Sequence, residues 1–346
     1  MIGSGLIGAS IGLALSERGA QVWLDDLDEA SLQTAVGRGA GLAGRPEHDP
    51  DLVIVAVPPA AAAQVVIASL RTYLDATVSD VASTKAELVR EVEASGADLS
   101  RFVPGHPLAG REVSGPGAAR ADLFSDRVWA LTPTPRTDPQ RVELVSSLVA
   151  GLGAVPVVTS AEAHDRAVAL TSHTPQVVAS LVAAGLEPLG EAEVRLSGQG
   201  LRDVTRLAAS DPALWTEILA SNAAPVAEAL DALIARLGQV RDGLRHGDAD
   251  PVRAALAEGV AGHLKVPGKH GSAPTTYAVV PVVVADRPGE LGRLFADAGA
   301  TGVNLEDVRI EHAQGRPTGR VELEVRPEAA ARLAEGLRGH GWDVRD

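Results

Sequence analysis

No cysteine occurs in the 346 residues, which excludes disulfides, thiolate metal sites and a cysteine nucleophile. Lysine is scarce. With a formal net charge of −14 and a pI near 5.1, the chain offers no general basic face to nucleic acid or to an anionic membrane surface. The acids are spread along the chain and not gathered in a tail, so they read as a solubilising surface. No apolar run in the sequence reaches the ~20 residues of a membrane span; the longest are strand-like pieces such as Leu52–Val57. The N-terminus opens directly on a glycine-rich turn, with no signal-peptide pattern ahead of it. These absences predict a soluble, cytoplasmic protein with no nucleic-acid and no membrane partner. What is present is ample apolar material, 45% of the residues, over a length that suits two or three domains.

Gly3-Ser4-Gly5-Leu6-Ile7-Gly8 fits the G-x-G-x-x-G pattern, with a helix expected over Ala9–Arg18. In that pattern the first glycine makes a tight turn and the second lets backbone N–H groups approach a pyrophosphate. The third lets helix and strand pack closely, and the helix N-terminus adds partial positive charge. A second strand is expected over Gln21–Leu24, ending at Asp25-Asp26 close to the ~20-residue offset of a ribose-binding acid. A carboxylate there accepts from the ribose hydroxyls and repels a 2′-phosphate, which favours NAD over NADP; Asp26 is preferred to Asp25. Only Met1 and Ile2 precede the glycines, where about five residues of strand are usual. Leu52–Val57 has the unbroken apolar character of a central parallel strand, and Val57-Pro58 marks the strand end where ligands bind in such sheets. Another strand, Thr77–Val81, leads through Ala82-Ser83-Thr84-Lys85 into a helix that Ser83 or Thr84 could cap. A hydroxyl at that strand end, Ser83, is also placed to orient a catalytic side chain or a substrate.

Val103-Pro104-Gly105-His106-Pro107-Leu108-Ala109-Gly110-Arg111-Glu112 follows the apolar pair Phe102-Val103 and reads as a loop. Turns on both sides fix the histidine by backbone, and imidazole is the side chain best matched to taking a proton near neutral pH. The strand Val128–Thr132, the helix Gln140–Leu152 and the strand Val155–Val158 complete the expected sheet. Residues 1–158 are thus read as a nucleotide-binding domain of the Rossmann type.

The glycine turn, Ser79-Asp80-Val81-Ala82-Ser83-Thr84-Lys85 and His106-Pro107-Leu108-Ala109-Gly110-Arg111-Glu112 together resemble the prephenate dehydrogenase family of tyrosine biosynthesis. The resemblance implies an NAD-dependent oxidative decarboxylation of prephenate to 4-hydroxyphenylpyruvate, with His106 taking the ring hydroxyl proton and Ser83 holding it in register. The same block carries Glu112 into the substrate-site set. Arogenate, which has an amine in place of the side-chain keto group, is the alternative substrate. A different NAD(P)-linked 3-hydroxyacid or imine dehydrogenase, or a non-catalytic nucleotide or amino-acid sensor, are the alternative functions.

Residues 159–264 read as an all-α substrate and dimerisation domain. A helix from Ala161 runs past His164-Asp165 and Ser172-His173 to Pro175, which should kink or end it and turn Ser172 and His173 toward a cleft. His164 and His173 do not have the i,i+4 spacing of a helical zinc pair, so no metal is implied. The resembled family ends this block in histidine, where this chain has Gln176. Arg202, Arg206 and Ser210 lie at i, i+4 and i+8, on one helical face as far as the helix persists. A guanidinium suits a carboxylate through paired charge-assisted hydrogen bonds, and the resemblance assigns Arg206 to the ring carboxylate with Arg202 and Ser210 in support. Trp215, just into the next helix, walls the site or packs in the core. Pro225–Leu244 carries an apolar stripe that needs a partner surface, and the resemblance implies a homodimer through these helices.

A Pro/Gly-rich linker is expected over 265–275, followed by a small α+β domain over 276–346 with βαββαβ order. Asp286-Arg287-Pro288-Gly289-Glu290-Leu291 and Gly302-Val303-Asn304 resemble an ACT domain, which implies L-tyrosine or a related product as an effector, with an assembly module that takes no ligand as the alternative.

Overall fold

The structure, a computed structural model, describes residues 1–110, 113–266, 277–312 and 317–345. They fall into two compact units, Met1–Asp242 and Gly243–Asp346.

In the first unit the short N-terminal stub does the work of a central strand. Ile2 forms parallel bridges to Asp25 on one side and Val55 on the other, with Gly3 N donating to Asp25 O at 2.8 Å and Ala56 N to Ile2 O at 2.7 Å. Helix α1 (Leu6–Ser16) follows, then β1 (Trp23–Leu24), α2 (Glu29–Gly37), β2 (Leu42–Ala43), β3 (Leu52–Val55), α3 (Pro59–Thr72), β4 (Thr77–Asp80), α4 (Ala86–Ala94) and β5 (Phe102–Val103). All pairings here are parallel, in the order β2, β1, Ile2, β3, β4, β5. The strands are shorter than the apolar runs suggest, because the chain leaves the sheet one or two residues before each ligand-facing turn. Ala62, Val66, Ile67, Leu70, Val53, Val55 and Val78 form the core on one face, and Ile11, Ile54, Phe124, Trp129 and Leu131 on the other.

His106 does not lie in a loop. After β5 the chain passes Pro104 and continues as β6 (Gly105–Pro107), which changes partner and runs antiparallel to β7 (Val128–Leu131), pairing His106 with Ala130. Proline has no N–H for the β4 ladder, but its carbonyl accepts from Thr132 N at 2.9 Å, so the switch falls there. Helix α5 (Pro139–Gly151) and the parallel edge strand β8 (Val155–Val158) close the sheet.

The helical region opens with α6 (Ala161–Val168), and Pro175 does not stop it. A π turn over Ala169–His173 absorbs the missing hydrogen bond, and α7 (Thr174–Ala184) continues with proline in its first turn. On length and composition alone Ala161–Ala184 could cross a membrane. Its buried face carries His164, Asp165 and His173, each tied into the first unit, as a core helix would be. Short helices α8 (Glu191–Val194) and α9 (Gln199–Thr205) lead to α10 (Pro212–Ser221) and α11 (Ala223–His246). Along α11 the apolar stripe is unevenly covered: Val226 is 5% exposed, Leu230, Leu233 and Val240 are half-buried, and Ile234 and Leu237 are 63% and 58% exposed.

In the second unit α12 (Asp250–His263) precedes β9 (Ala278–Ala285), α13 (Glu290–Ala300), β10 (Asp307–His312), β11 (Thr318–Val325), α14 (Pro327–Gly339) and β12 (Asp343–Val344). The sheet is antiparallel in the order β10, β11, β9, β12, with Val282, Leu294, Leu323, Leu333 and Leu337 in its core. The βαββαβ order read from the sequence is therefore present. Residues 267–275 of the expected linker lie outside the described residues.

Candidate active site

The glycine turn fits a dinucleotide by what it excludes. Gly3 has φ +93°, and a Cβ there would meet Ala56 O at 2.3 Å; a Cβ on Gly8 would meet Gly3 O at 2.1 Å. Next to Gly5 nothing lies within 4 Å, and no side chain caps the first turn of α1, which leaves its N–H groups for phosphate oxygens. Leu6 and Ile7 are half-buried, with Ile7 packed into the core. Asp26 closes over the turn: Oδ2 accepts from Ser4 N at 2.5 Å and Ser4 Oγ at 2.7 Å, and Oδ1 from Asp28 N at 2.9 Å. Asp25 instead pairs with Arg45 at 2.9 Å. Val57 and Pro58 stand at the carboxyl end of β3, where α3 begins.

Across the sheet, His106 is joined to two residues that the sequence reading passed over. Its Nδ1 lies 2.9 Å from His164 Nε2, and His164 Nδ1 lies 2.8 Å from Asp165 Oδ1. Asp165 also accepts from Lys85 N at 2.9 Å and Ala86 N at 2.8 Å. Asp165 thus caps α4 from α6, in place of the Ser83 or Thr84 cap expected locally; Thr84 Oγ1 turns to Ser221 Oγ at 3.0 Å. Burial pushes the Asp165 carboxyl upward, but the hydrogen bonds from His164 and the two backbone N–H groups hold it below its ordinary value. Asn222 Nδ2 reaches Asp165 O at 2.9 Å and His173 Nδ1 at 3.0 Å, and the His173 ring meets Trp215 edge to face with centroids 6.1 Å apart.

His106 is half-buried. Desolvation first, then the neighbouring His164, Lys85 and His173, hold it well below the usual imidazole range, so it is neutral near pH 7. His173, buried more deeply, is lowered by desolvation as well. Ser83 does not hold His106 in register: its Oγ is buried without a hydrogen-bond partner, and the histidine is oriented by His164.

Beneath this cluster the fully buried Lys85 contacts Asp80 at the end of β4 and donates to Gly105 O at 2.7 Å. Burial lowers the Lys85 pKa and the Asp80 charge opposes that shift. Asp80 Oδ1 also accepts from Gly105 N at 3.3 Å, so the pair clamps the residue preceding His106. Only glycine fits there, since a Cβ would lie 2.9 Å from Trp129 Nε1 and 3.0 Å from Asp80 O.

The arginine segment is built differently. The helical face does not reach Ser210: α9 tightens to a 3₁₀ turn at Arg206–Ala209 and Ser210 is extended, its Oγ donating to Leu207 O at 2.8 Å. Arg202 and Arg206 are exposed. Gln176 on α7 donates to Leu207 O at 2.9 Å and fastens this segment to the helix that carries Ser172 and His173. Glu112 lies outside the described residues. Among the described residues no group of three or more His, Asp or Glu is placed to hold a metal ion. The missed residues did carry signals: His164 and Asp165 are adjacent in an amphipathic segment, and Lys85 is a rare lysine directly after a strand end.

A phosphate-accommodating glycine turn, an acid over it, and a neutral imidazole at the strand ends beside a helical half define a nucleotide-dependent dehydrogenase with a separate substrate region. Two family models match the chain: prephenate dehydrogenase, nucleotide-binding domain, over residues 11–158, and prephenate dehydrogenase, dimerization domain, over residues 160–258. The probable prephenate dehydrogenase NovF of Streptomyces niveus is 40% identical over 99% of this chain and 98% of its own. The structure of prephenate dehydrogenase from Aquifex aeolicus in complex with hydroxyphenyl propionate and NAD+ superposes with a TM-score of 0.69 at 28% identity, covering 77% of this chain and 96% of that one. Synechocystis arogenate dehydrogenase gives 0.65 at 25% identity, over 76% and 96%. The chain belongs to the prephenate dehydrogenase family.

Proposed function

We propose that this chain is an NAD-dependent prephenate dehydrogenase that converts prephenate to 4-hydroxyphenylpyruvate and CO2. The observation that carries the reading is the binding of His106 through Nδ1 by His164, which leaves Nε2 as a lone-pair acceptor for the ring hydroxyl. Bound NAD at the Gly3–Gly8 turn would supply the hydride acceptor. The chain's own residues then do three things. His106 takes the hydroxyl proton, Ser83 Oγ and His173 offer polar contacts to the substrate, and Arg206, supported by Arg202, grips the ring carboxylate. Ser172, Ser210, Trp215 and Glu112 complete the proposed substrate surround. Aromatisation drives the reaction, so orientation is the protein's main contribution.

Arogenate is the second reading, favoured by the structural likeness to an arogenate dehydrogenase; Gln176, where the resembled block ends in histidine, bears on how the substrate side chain is recognised. NADH formation measured with prephenate and with arogenate, each with NAD and NADP, decides it. Prephenate with NAD should give the highest kcat/KM, and turnover of arogenate alone would overturn the assignment. The exposed stripe on α11 supports a homodimer through the helical region, which sedimentation of the full chain tests. The tail's cleft of about 750 Å3 is lined by Val279, Val280, Ala334, Glu335 and by Arg320, Arg338 and Arg345, with Arg320 paired to Glu322 and Arg345 to Asp343, and is where an amphiphilic carboxylate such as L-tyrosine would have to exchange for those acids. Equilibrium dialysis of the full chain with tyrosine and phenylalanine tests that role, and absence of binding rejects it.

A further inference from the structure

We propose that His164 and Asp165 form a proton relay behind His106, so that the proton taken from the substrate is shared with His164 and then handed back. The inference rests on the assignment of His106 as the proton acceptor. It begins with polarity. A carboxylate that already accepts two backbone N–H groups can only accept from His164, so His164 Nδ1 carries a hydrogen and Nε2 is a lone pair. That lone pair lies 2.9 Å from His106 Nδ1, which must therefore be the N–H. His106 Nε2 is then the open acceptor. One fixed charge, on Asp165, thus sets the tautomers of two rings, and it is itself pinned to the start of α4.

The chemistry needs such a reversible store. Hydride leaves the carbinol carbon for the nicotinamide and the bond to the ring carboxylate breaks. Its electron pair enters the ring as CO2 departs, and the oxygen ends as a phenol. The dianionic substrate and NAD+ give a monoanionic keto acid, CO2 and NADH, so no net proton is produced. The hydroxyl proton is lent and returned. Held on His106 alone, it would face desolvation and, besides His164 itself, Lys85 from the start of α4 and His173 from the π turn, all of which disfavour a cation there, with Asp80 offsetting only from behind Lys85. Passing the Nδ1 proton to His164 Nε2 moves the positive charge onto the ring that touches Asp165. Asn222, which is neutral, holds Asp165 O and His173 Nδ1 and keeps the third imidazole, His173, out of the chain. His164 and Asp165 are thus positioning residues that act through His106.

The test is the pH dependence of kcat and kcat/KM for the full-length enzyme and its Asp165→Asn, His164→Gln and His106→Asn variants, with NAD affinity measured alongside. The relay predicts that the first two lose kcat by about 10- to 1000-fold with KM for prephenate nearly unchanged. It also predicts that the acid limb of kcat/KM moves: to lower pH in Asp165→Asn, where the shared conjugate acid has lost its carboxylate, and away from the wild-type position in His164→Gln, where His106 must carry the proton alone. Asp165→Asn also disturbs the α4 cap; His164→Gln leaves that cap intact and decides the matter if the other fails to fold. A folded His164→Gln with wild-type kcat, or with reduced kcat but an unmoved limb, overturns the relay. If His106→Asn is as active as the wild type, the proton-acceptor assignment itself falls, a result distinct from an inactive His106→Asn beside a fully active His164→Gln.

Discussion

The histidine cluster and the arginine segment belong to the same compact unit and to the same proposed site, yet they are built on opposite plans. Around His106 the polar groups His164, Asp165, His173, Asn222, Lys85 and Asp80 are buried and joined by hydrogen bonds between separate elements. Around Arg206 the side chains are exposed, the helix loosens to a 3₁₀ turn, and a backbone carbonyl held by Gln176 is the anchor. Proton transfer demands sub-ångström placement before the substrate arrives, whereas gripping a carboxylate tolerates a cation that settles as the anion docks. The first region spends folding energy on order; the second carries its cations on exposed side chains.

The sharpest way to break this contrast is His106→Asn. It should lower kcat by about 10²- to 10⁴-fold while NAD affinity, measured by fluorescence titration, stays within a few fold, because the glycine turn lies on other strands. A wild-type kcat would remove the imidazole from the chemistry. Next comes Lys85→Ala, which strands Asp80 as an uncompensated buried charge. Chemical denaturation should show a loss of about 3–5 kcal/mol, whereas Arg202→Ala, on the exposed segment, should stay within about 0.5 kcal/mol. Equal costs at the two positions would mean the two regions are not organised differently.

The same contrast explains what was legible in the sequence. Gly3–Gly8, Asp26 and the tail strand Thr318–Val325 follow from local spacing and alternation, which one stretch of chain states by itself. The link from His106 to His164 spans 58 residues, and the Asp165 cap on α4 spans 79 and 80. Neither leaves a local pattern, so Ser83 drew the role that His164 fills. Val103–Glu112, rich in Gly and Pro, reads as a loop because a proline lacks the N–H of a strand ladder. The structure uses that defect to move the strand from β4 to β7. The helical face does not persist to Ser210 for a related reason: Asp211 and Pro212 start α10, with Asp211, the residue before proline, extended and its Oδ1 accepting from Ala213 N at 2.9 Å, so the preceding 3₁₀ turn ends at Ser210.

Arg206→Ala tests the open region directly. With an exposed guanidinium gripping one end of the substrate, KM for prephenate should rise about 10- to 100-fold and kcat should change far less. Steady-state kinetics separate the two, and an unchanged KM would mean another cation holds the ring carboxylate. Arg206→Lys should recover only part of the loss, since a point charge lacks the paired geometry.

The smallest effect expected is on stability against pH, and it too divides the regions. His106 and His173 are held below the ordinary imidazole value in the folded chain. Below about pH 6.5 the unfolded chain therefore binds protons that the folded one refuses. The sign follows: stability is full above that window and is lost as pH falls through it, by at most about 1.4 kcal/mol per pH unit for each ring. Asp165, also lowered, acts in the same direction but only below about pH 4. Between pH 7 and pH 5, Tm should thus fall by a few degrees, and the slope should shrink in His173→Gln. It should be untouched in Arg206→Ala, because the guanidinium keeps its charge throughout. A Tm flat from pH 7 to pH 5 would mean the folded rings protonate as readily as free ones, and the buried cluster would then be no drier than the exposed segment.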